Sequence, residues 1–334
     1  SIGIPEFLPR IGKAQKNLRQ PNLIYPTGGK VFVHLYQTED DSRNSYVPIE
    51  PGGALTKSNL IEEIDRKLID HVGELQKAAT LEDPDERIEI LLDVLGKVCQ
   101  TDGKNRRDTI QVSKSEFEQI EYLVVRDKEG LGVIQPLISD PYLEDVSCSG
   151  VGPIFLEHKI FGALKAGITF DDVEQLDHFV IQLSERIGRP VTVRNPIVDS
   201  TLPDGSRINI VYGDDVSKRG SNFTIRKFSA TPMSILDLVA GGTLTDEMAA
   251  YISLMLGAGM NTFVSGETAS GKTTMLNAIS TFIPPIHKIV SIEDTPELQV
   301  PHPNWTREVV RSSSDTASSI TMFDLLRAAL RQRP

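Results

Sequence analysis

Gly266-Glu267-Thr268-Ala269-Ser270-Gly271-Lys272-Thr273 is the stretch that decides how this 334-residue chain is read. Residues 261–265 before it form a short run with strand character, and residues 272–283 after it have helical composition. Strand, glycine-rich turn and helix in that order make a phosphate cradle. Gly266 lets the chain leave the strand in a tight turn, and Gly271 lets backbone approach an anion closely. Loop N–H groups and the positive end of the helix then converge on phosphate. Lys272 meets the β- and γ-phosphates, and the Thr273 hydroxyl reaches Mg²⁺. The candidate nucleotide-binding residues are Gly266, Glu267, Thr268, Ala269, Ser270, Gly271, Lys272, Thr273 and Thr274, with ATP and Mg²⁺ as ligands.

Downstream, Pro284-Pro285 ends the helix, because proline cannot continue it. Residues 287–292 read as a buried strand that delivers Glu293 and Asp294 at its carboxyl end. In an open parallel sheet, ligands lie outside the carboxyl ends of the strands. Two acids at that rim repel phosphate unless a cation intervenes. Glu293 or Asp294 is therefore expected to hold the metal through water or to orient an attacking water. The other reading is a capping acid for the turn that follows.

Upstream, two α/β units precede the loop. The first, 1–112, begins with residues 5–26, which are basic at Arg10, Lys13, Lys16 and Arg19. Phe7, Leu8, Ile11, Ala14 and Leu18 share one helical face there. This segment reads as a helix packed on its own domain, or as an arm for an acidic partner or lipid surface. A strand over residues 30–36 and helices over 59–75 and 85–98 follow, and the polar stretch 101–109 reads as an exposed connection. The second unit, 113–229, opens with a helix over 115–127. It continues with a strand at 153–158, an amphipathic helix over 171–187 and strands at 197–202 and 207–212. Pro203-Asp204-Gly205-Ser206 joins the last two, a turn with preset and left-handed backbone angles. Arg207 follows that turn, and Arg226 lies in a further strand at 223–228. The third unit, 230–334, carries the loop. Its β-loop-α-β order predicts a parallel sheet.

Composition bounds the function. Hydrophobic residues make up 39% of the chain, enough for real cores. The net charge of −11 works against tracking a nucleic-acid backbone. Two cysteines and six scattered histidines supply neither a disulfide framework nor a metal-ligand spacing. No run approaches the roughly 18 apolar residues that span a bilayer. A soluble, cytoplasmic protein that works at a membrane only through partners is the expectation.

Together these residues resemble the secretion ATPase superfamily of type II and type IV secretion, type IV pili and archaeal pili or archaella. Asp140-Pro141-Tyr142-Leu143-Glu144-Asp145-Val146 is similar to the motif opening the domain before the motor. Leu202-Pro203-Asp204-Gly205-Ser206-Arg207, Arg219-Gly220 and Thr224-Ile225-Arg226 resemble the arginine-bearing segment. Ile289-Val290-Ser291-Ile292-Glu293-Asp294-Thr295-Pro296-Glu297 resembles the acidic box. Tyr25-Pro26-Thr27-Gly28-Gly29 and Ile225-Arg226-Lys227-Phe228 are nearest the archaeal secretion-type branch.

The resemblance implies N-terminal α+β domains followed by a RecA-like P-loop ATPase domain, arranged as a homo-hexameric ring. It implies that Arg207 and Arg226 bring cations to the phosphates, joining Lys272, Glu293 and Asp294 as catalytic residues, with Thr273 and Glu293 on the metal. The expected partner is a membrane-embedded secretion or pilus platform, and the expected role is a motor that couples ATP binding and hydrolysis to domain movement. The family continues past the counterpart of residues 325–334 into the strand of the second acidic motif. The expectation is thus a motor domain incomplete at its C-terminus. A module that binds nucleotide and organises a ring without turnover is the alternative. A kinase built on the same loop is disfavoured by the long region preceding it.

Overall fold

Alternation sets the first sheet. In Asn22–Gly28, Leu23, Tyr25 and Thr27 point inward while their neighbours are partly exposed, and Val31, Val33 and Leu35 do the same in the next strand. The molecule is described as a computed structural model over residues 3–12, 15, 18, 20–37, 43–53, 59–81, 83–101, 109–228, 232–267, 270–311 and 319–332. It divides into two compact units, Ser1–Lys227 and Phe228–Pro334.

The first unit holds strands β1 (Glu6–Phe7), β2 (Asn22–Gly28), β3 (Val31–Tyr36) and β4 (Asn44–Ile49). Helices α1 (Asn59–Leu68), α2 (Val72–Ala79) and α3 (Pro84–Val98) follow. Next come the short pair β5 (Cys99–Gln100) and β6 (Ile110–Gln111), then α4 (Lys114–Lys128) and α5 (Gln135–Ser139). The rest is β7 (Leu143–Cys148), β8 (Gly152–His158), β9 (Gly162–Phe170), α6 (Val173–Arg186), β10 (Ile197–Thr201), β11 (Arg207–Val211) and β12 (Asn222–Arg226). Ten strands share one mixed sheet in the order β1-β2-β3-β4-β9-β8-β7-β12-β11-β10.

This changes two expectations. The described part of residues 5–26 forms no α-helix: Glu6 and Phe7 pair in parallel with β2, and Ile11 is buried in the main core, whereas Lys13, Ala14, Lys16 and Arg19 lie outside the described residues. The anticipated boundary near residue 112 also does not separate two units, because β4 pairs in parallel with β9 across more than a hundred residues. What the intervening helices form instead is a second core. Ile64, Leu91, Leu95, Val98, Ile120 and Val124 meet there, away from the core of the large sheet. Local signals fix the helix starts. Ser113 and Glu116 make a reciprocal capping box, and Asp172 accepts from the Gln175 N–H at 2.8 Å.

A buried polar knot ties the N-terminal strands to the segment at 140–146. Asp140 is fully buried and accepts from the hydroxyls of Tyr25 and Tyr46 and from the Tyr142 N–H, each at 2.8 Å. Burial pushes its carboxyl pKa up. His158, beside it, accepts at Nδ1 from the Ile160 and Phe161 N–H groups at 3.0 and 3.2 Å, so the ring proton sits on Nε2, 3.4 Å from the Tyr25 oxygen. Protonating Nδ1 would break both backbone bonds in a site that already disfavours charge, and burial lowers the His158 pKa from 6.5 to about 4. The sign follows: the folded state binds this proton later than the unfolded state, so His158 costs stability as pH falls from 6.5 toward 4. Asp140, raised, works in the opposite direction. Between pH 7 and pH 5 the His158 contribution is a loss of about 2 kcal/mol. Urea unfolding followed by tyrosine near-UV circular dichroism checks this. His158→Gln should be less stable at pH 7 yet lose less than the wild type on going to pH 5, and parallel losses would remove His158 as the cause.

The second unit comprises α7 (Ile235–Ala240), α8 (Asp246–Gly257), α9 (Lys272–Ser280), β13 (Ile289–Glu293), β14 (Trp305–Val309) and α10 (Met322–Ala329). Thr245 caps α8 by accepting from the Met248 N–H, and β13 and β14 run parallel. Residues 261–265 were expected as a strand, but among the described residues they pair with no neighbour, and Phe263 is 95% exposed. A strand exists through its ladder, and extended sequence alone does not supply one. Among the described residues no helix is long and apolar enough to cross a membrane, and no cluster of three metal-binding side chains occurs.

Candidate nucleotide site

The glycine-rich loop leads into α9 through Gly271, whose φ of 84° lies in the left-handed region that favours glycine. No side chain caps the helix start, so its first-turn N–H groups remain available to an anion. At Gly266 the constraint is space: a Cβ there would lie 2.5 Å from the Ser270 Oγ. Ser270 N–H donates to the Glu267 carbonyl at 3.3 Å and holds the loop's curl, while Thr268 and Ala269 lie outside the described residues. Lys272 folds back over the loop and donates to the Gly266 and Glu267 carbonyls at 3.1 and 2.6 Å. Thr274 is half-buried in the first turn.

Thr273 and Asn277 stand one turn apart and so share a face of α9. That face holds the loop after β13. The Thr273 Oγ1 donates to the Glu297 Oε2 at 2.8 Å, and the Asn277 Oδ1 accepts from the Gln299 N–H at 2.8 Å. From the other side, Glu293 Oε2 accepts from the Glu297 and Leu298 N–H groups at 2.7 and 2.8 Å. Its Oε1 meets Ser291 Oγ and Arg307 Nε, each at 3.1 Å.

Glu293 sits as the capping acid of the second reading would, its carboxylate holding the backbone of the turn that follows. It is 8% exposed, and both carboxylate oxygens are engaged by the protein, which orders the loop and pairs Arg307. Asp294 is exposed. Glu297, which the reading of the sequence passed over, is the carboxylate brought to Thr273. Its signal was present as the acid that ends the acidic box four residues after Glu293.

Arg207 and Arg226 lie in the first unit and oppose one another directly across β11 and β12. The sheet's two sides explain their exposure. Ile208, Ile210, Phe223 and Ile225 face the core beneath α6, so Arg207, Asn209, Thr224 and Arg226 alternate outward. Arg207 makes a two-pronged contact with Asp199, Nη2 to Oδ2 at 2.6 Å and Nε to Oδ1 at 3.1 Å. Arg226 Nε contacts Asp145 Oδ1 at 3.3 Å.

Residues 127–334 match the family model described as type II/IV secretion system protein. The chain is 42% identical over 341 residues to the uncharacterised protein MJ0900 of Methanocaldococcus jannaschii, covering 99% of this chain and 62% of that protein. It is 31% identical over 177 residues to the type IV secretion system protein VirB11 of Bartonella henselae, covering 43% of this chain and 50% of that one. A solved structure, the Legionella pneumophila ATPase DotB, aligns with 17% identity and a TM-score of 0.38 over 58% of this chain and 54% of its own. The chain thus spans less than two thirds of the length of each of these proteins. A glycine-rich loop opening a helix, an acidic box stitched to it and a family match across most of the chain lead to one conclusion: this chain belongs to the type II/IV secretion ATPase family.

Proposed function

We propose that this chain is the nucleotide-binding portion of a secretion or pilus motor that binds and hydrolyses ATP in a hexameric ring. The observation that carries the reading is the Thr273–Glu297 pair at the open start of α9. A hydroxyl and a carboxylate oxygen at that point suit a hard divalent cation such as Mg²⁺. Once bound, Mg²⁺ would neutralise charge on the β- and γ-phosphates.

The chain's own residues do the rest. Lys272 would leave the two loop carbonyls and turn to the β- and γ-phosphates, and the α9 N–H groups would hold the β-phosphate. Glu297 would orient the attacking water or hold the metal. Asp294 is a second exposed acid on the same loop, whereas Glu293 keeps that loop in shape. Arg207 and Arg226, from the same or a neighbouring copy, would stabilise charge at the γ-phosphate, and losing that phosphate would release the arginines. Coupling to filament subunits would run through a platform protein embedded in the membrane, with the ATPase on its cytoplasmic side.

The test is phosphate release by the intact protein, with particle mass measured by light scattering with and without ATP. Steady turnover accompanied by a six-copy mass is expected, and tight binding without turnover would instead make the protein an assembly module. Arg226→Ala should lower turnover about tenfold or more while leaving ADP affinity within about twofold, since one charge at the γ-phosphate is lost. Unchanged turnover would remove Arg226 from the site.

A further inference from the structure

We infer that Asp199 and Asp145 are resident competitors for the arginine pair, carboxylates that a nucleotide's terminal phosphate must displace. The inference rests on the proposed role of Arg207 and Arg226 and adds residues that tune it.

The sheet register carries the argument. Arg207 faces Arg226 directly, and like charges so placed repel unless something neutralises them. Each arginine has its own carboxylate on the same face. Asp199 lies diagonal to Arg207, because it opposes Asn209 while Arg207 opposes Thr201. Asp145 directly opposes Arg226. The Asp199–Arg207 contact is two-pronged, which is also the way a guanidinium grips a phosphate. Carboxylate and phosphate would therefore claim the same guanidinium edge of Arg207. Arg226 uses its Nε and is about two thirds exposed, so its pairing is looser.

Exposed ion pairs of this kind hold weakly. That is what an exchangeable partner requires: the arginines are kept in a defined orientation without a phosphate, and the carboxylate yields to a more highly charged anion. A diphosphate that does not reach the arginines gains nothing from the exchange. The two aspartates would thus hold down affinity for ATP more than for ADP.

The experiment measures equilibrium binding of a non-hydrolysable ATP analogue and of ADP to the intact protein, for wild type, Asp199→Asn, Arg207→Ala and the double variant. Asp199→Asn should tighten analogue binding roughly three- to tenfold, because a negative charge beside the phosphate is removed, and should change ADP affinity less than about twofold. The gain should vanish in the Arg207→Ala background. Asp145→Asn, acting on Arg226, should give a smaller gain in the same sense. Arg207→Ala weakening the analogue while Asp199→Asn leaves it unchanged or weaker would overturn the inference and leave the arginine reading standing. A gain that persists without Arg207 would also overturn it, since Asp199 would then act without that arginine. Wild-type analogue affinity in Arg207→Ala would overturn the arginine reading and this inference with it.

Discussion

Lys272→Ala is expected to weaken ATP binding about a hundredfold, which corresponds to about 2.7 kcal/mol, with no change in the unfolding midpoint. The size follows from the ammonium's proposed partners, two phosphates with charge-assisted hydrogen bonds and little water between them. The intact fold follows from the structure. Lys272 donates to the carbonyls of Gly266 and Glu267, both exposed residues that water can satisfy when the amine is removed. Alanine is also the best helix former, so the start of α9 is not weakened. Isothermal titration of the intact protein gives the affinity, and thermal unfolding reports the fold. A folded variant that binds ATP as tightly as the wild type would take the glycine-rich loop out of the function altogether.

Replacing the two glutamates of the acidic box should separate chemistry from scaffolding. Glu297→Gln keeps the shape and an oxygen that can accept from Thr273, but removes the charge. Turnover should fall roughly a hundredfold or more, about 3 kcal/mol of barrier, while nucleotide affinity stays within about threefold. Glu293→Gln should act on the fold first. An amide placed where a buried carboxylate accepts from two backbone N–H groups and Arg307 brings donors face to face, at a cost of about 1–3 kcal/mol. Trp305, the protein's single tryptophan, donates to Ser291, which in turn donates to Glu293, so its fluorescence reads this unit directly. The melting midpoint seen by Trp305 should drop for Glu293→Gln and hold for Glu297→Gln. Loss of turnover in Glu293→Gln at an unchanged midpoint, with Glu297→Gln fully active, would return the metal-side role to Glu293.

The amino-acid sequence by itself determined the parts governed by short-range rules. The run from Gly266 to Thr273 puts glycines and a lysine at fixed spacing, and the left-handed Gly271 and the helix start at Lys272 follow from it. The helices expected over 115–127 and 171–187 form, and their starts are set by Ser113 and Asp172, whose side chains cap nearby N–H groups. The Pro203-Asp204-Gly205-Ser206 turn, where Asp204 accepts from the Ser206 N–H, sets the hairpin that places Arg207. Tertiary structure decided what depends on which face is inside and on who the distant neighbour is. Ile289 to Ile292 is apolar at three of four positions, so no alternation marks the core side. Only packing turns Ser291 and Glu293 inward and leaves Glu297 to meet Thr273. The pairing of β4 with β9 and the grip of Tyr25 and Tyr46 on Asp140 join residues about a hundred positions apart. A chain segment carries its own propensity and polarity, but the partner that completes a ladder or a buried hydrogen bond exists only once the chain has folded.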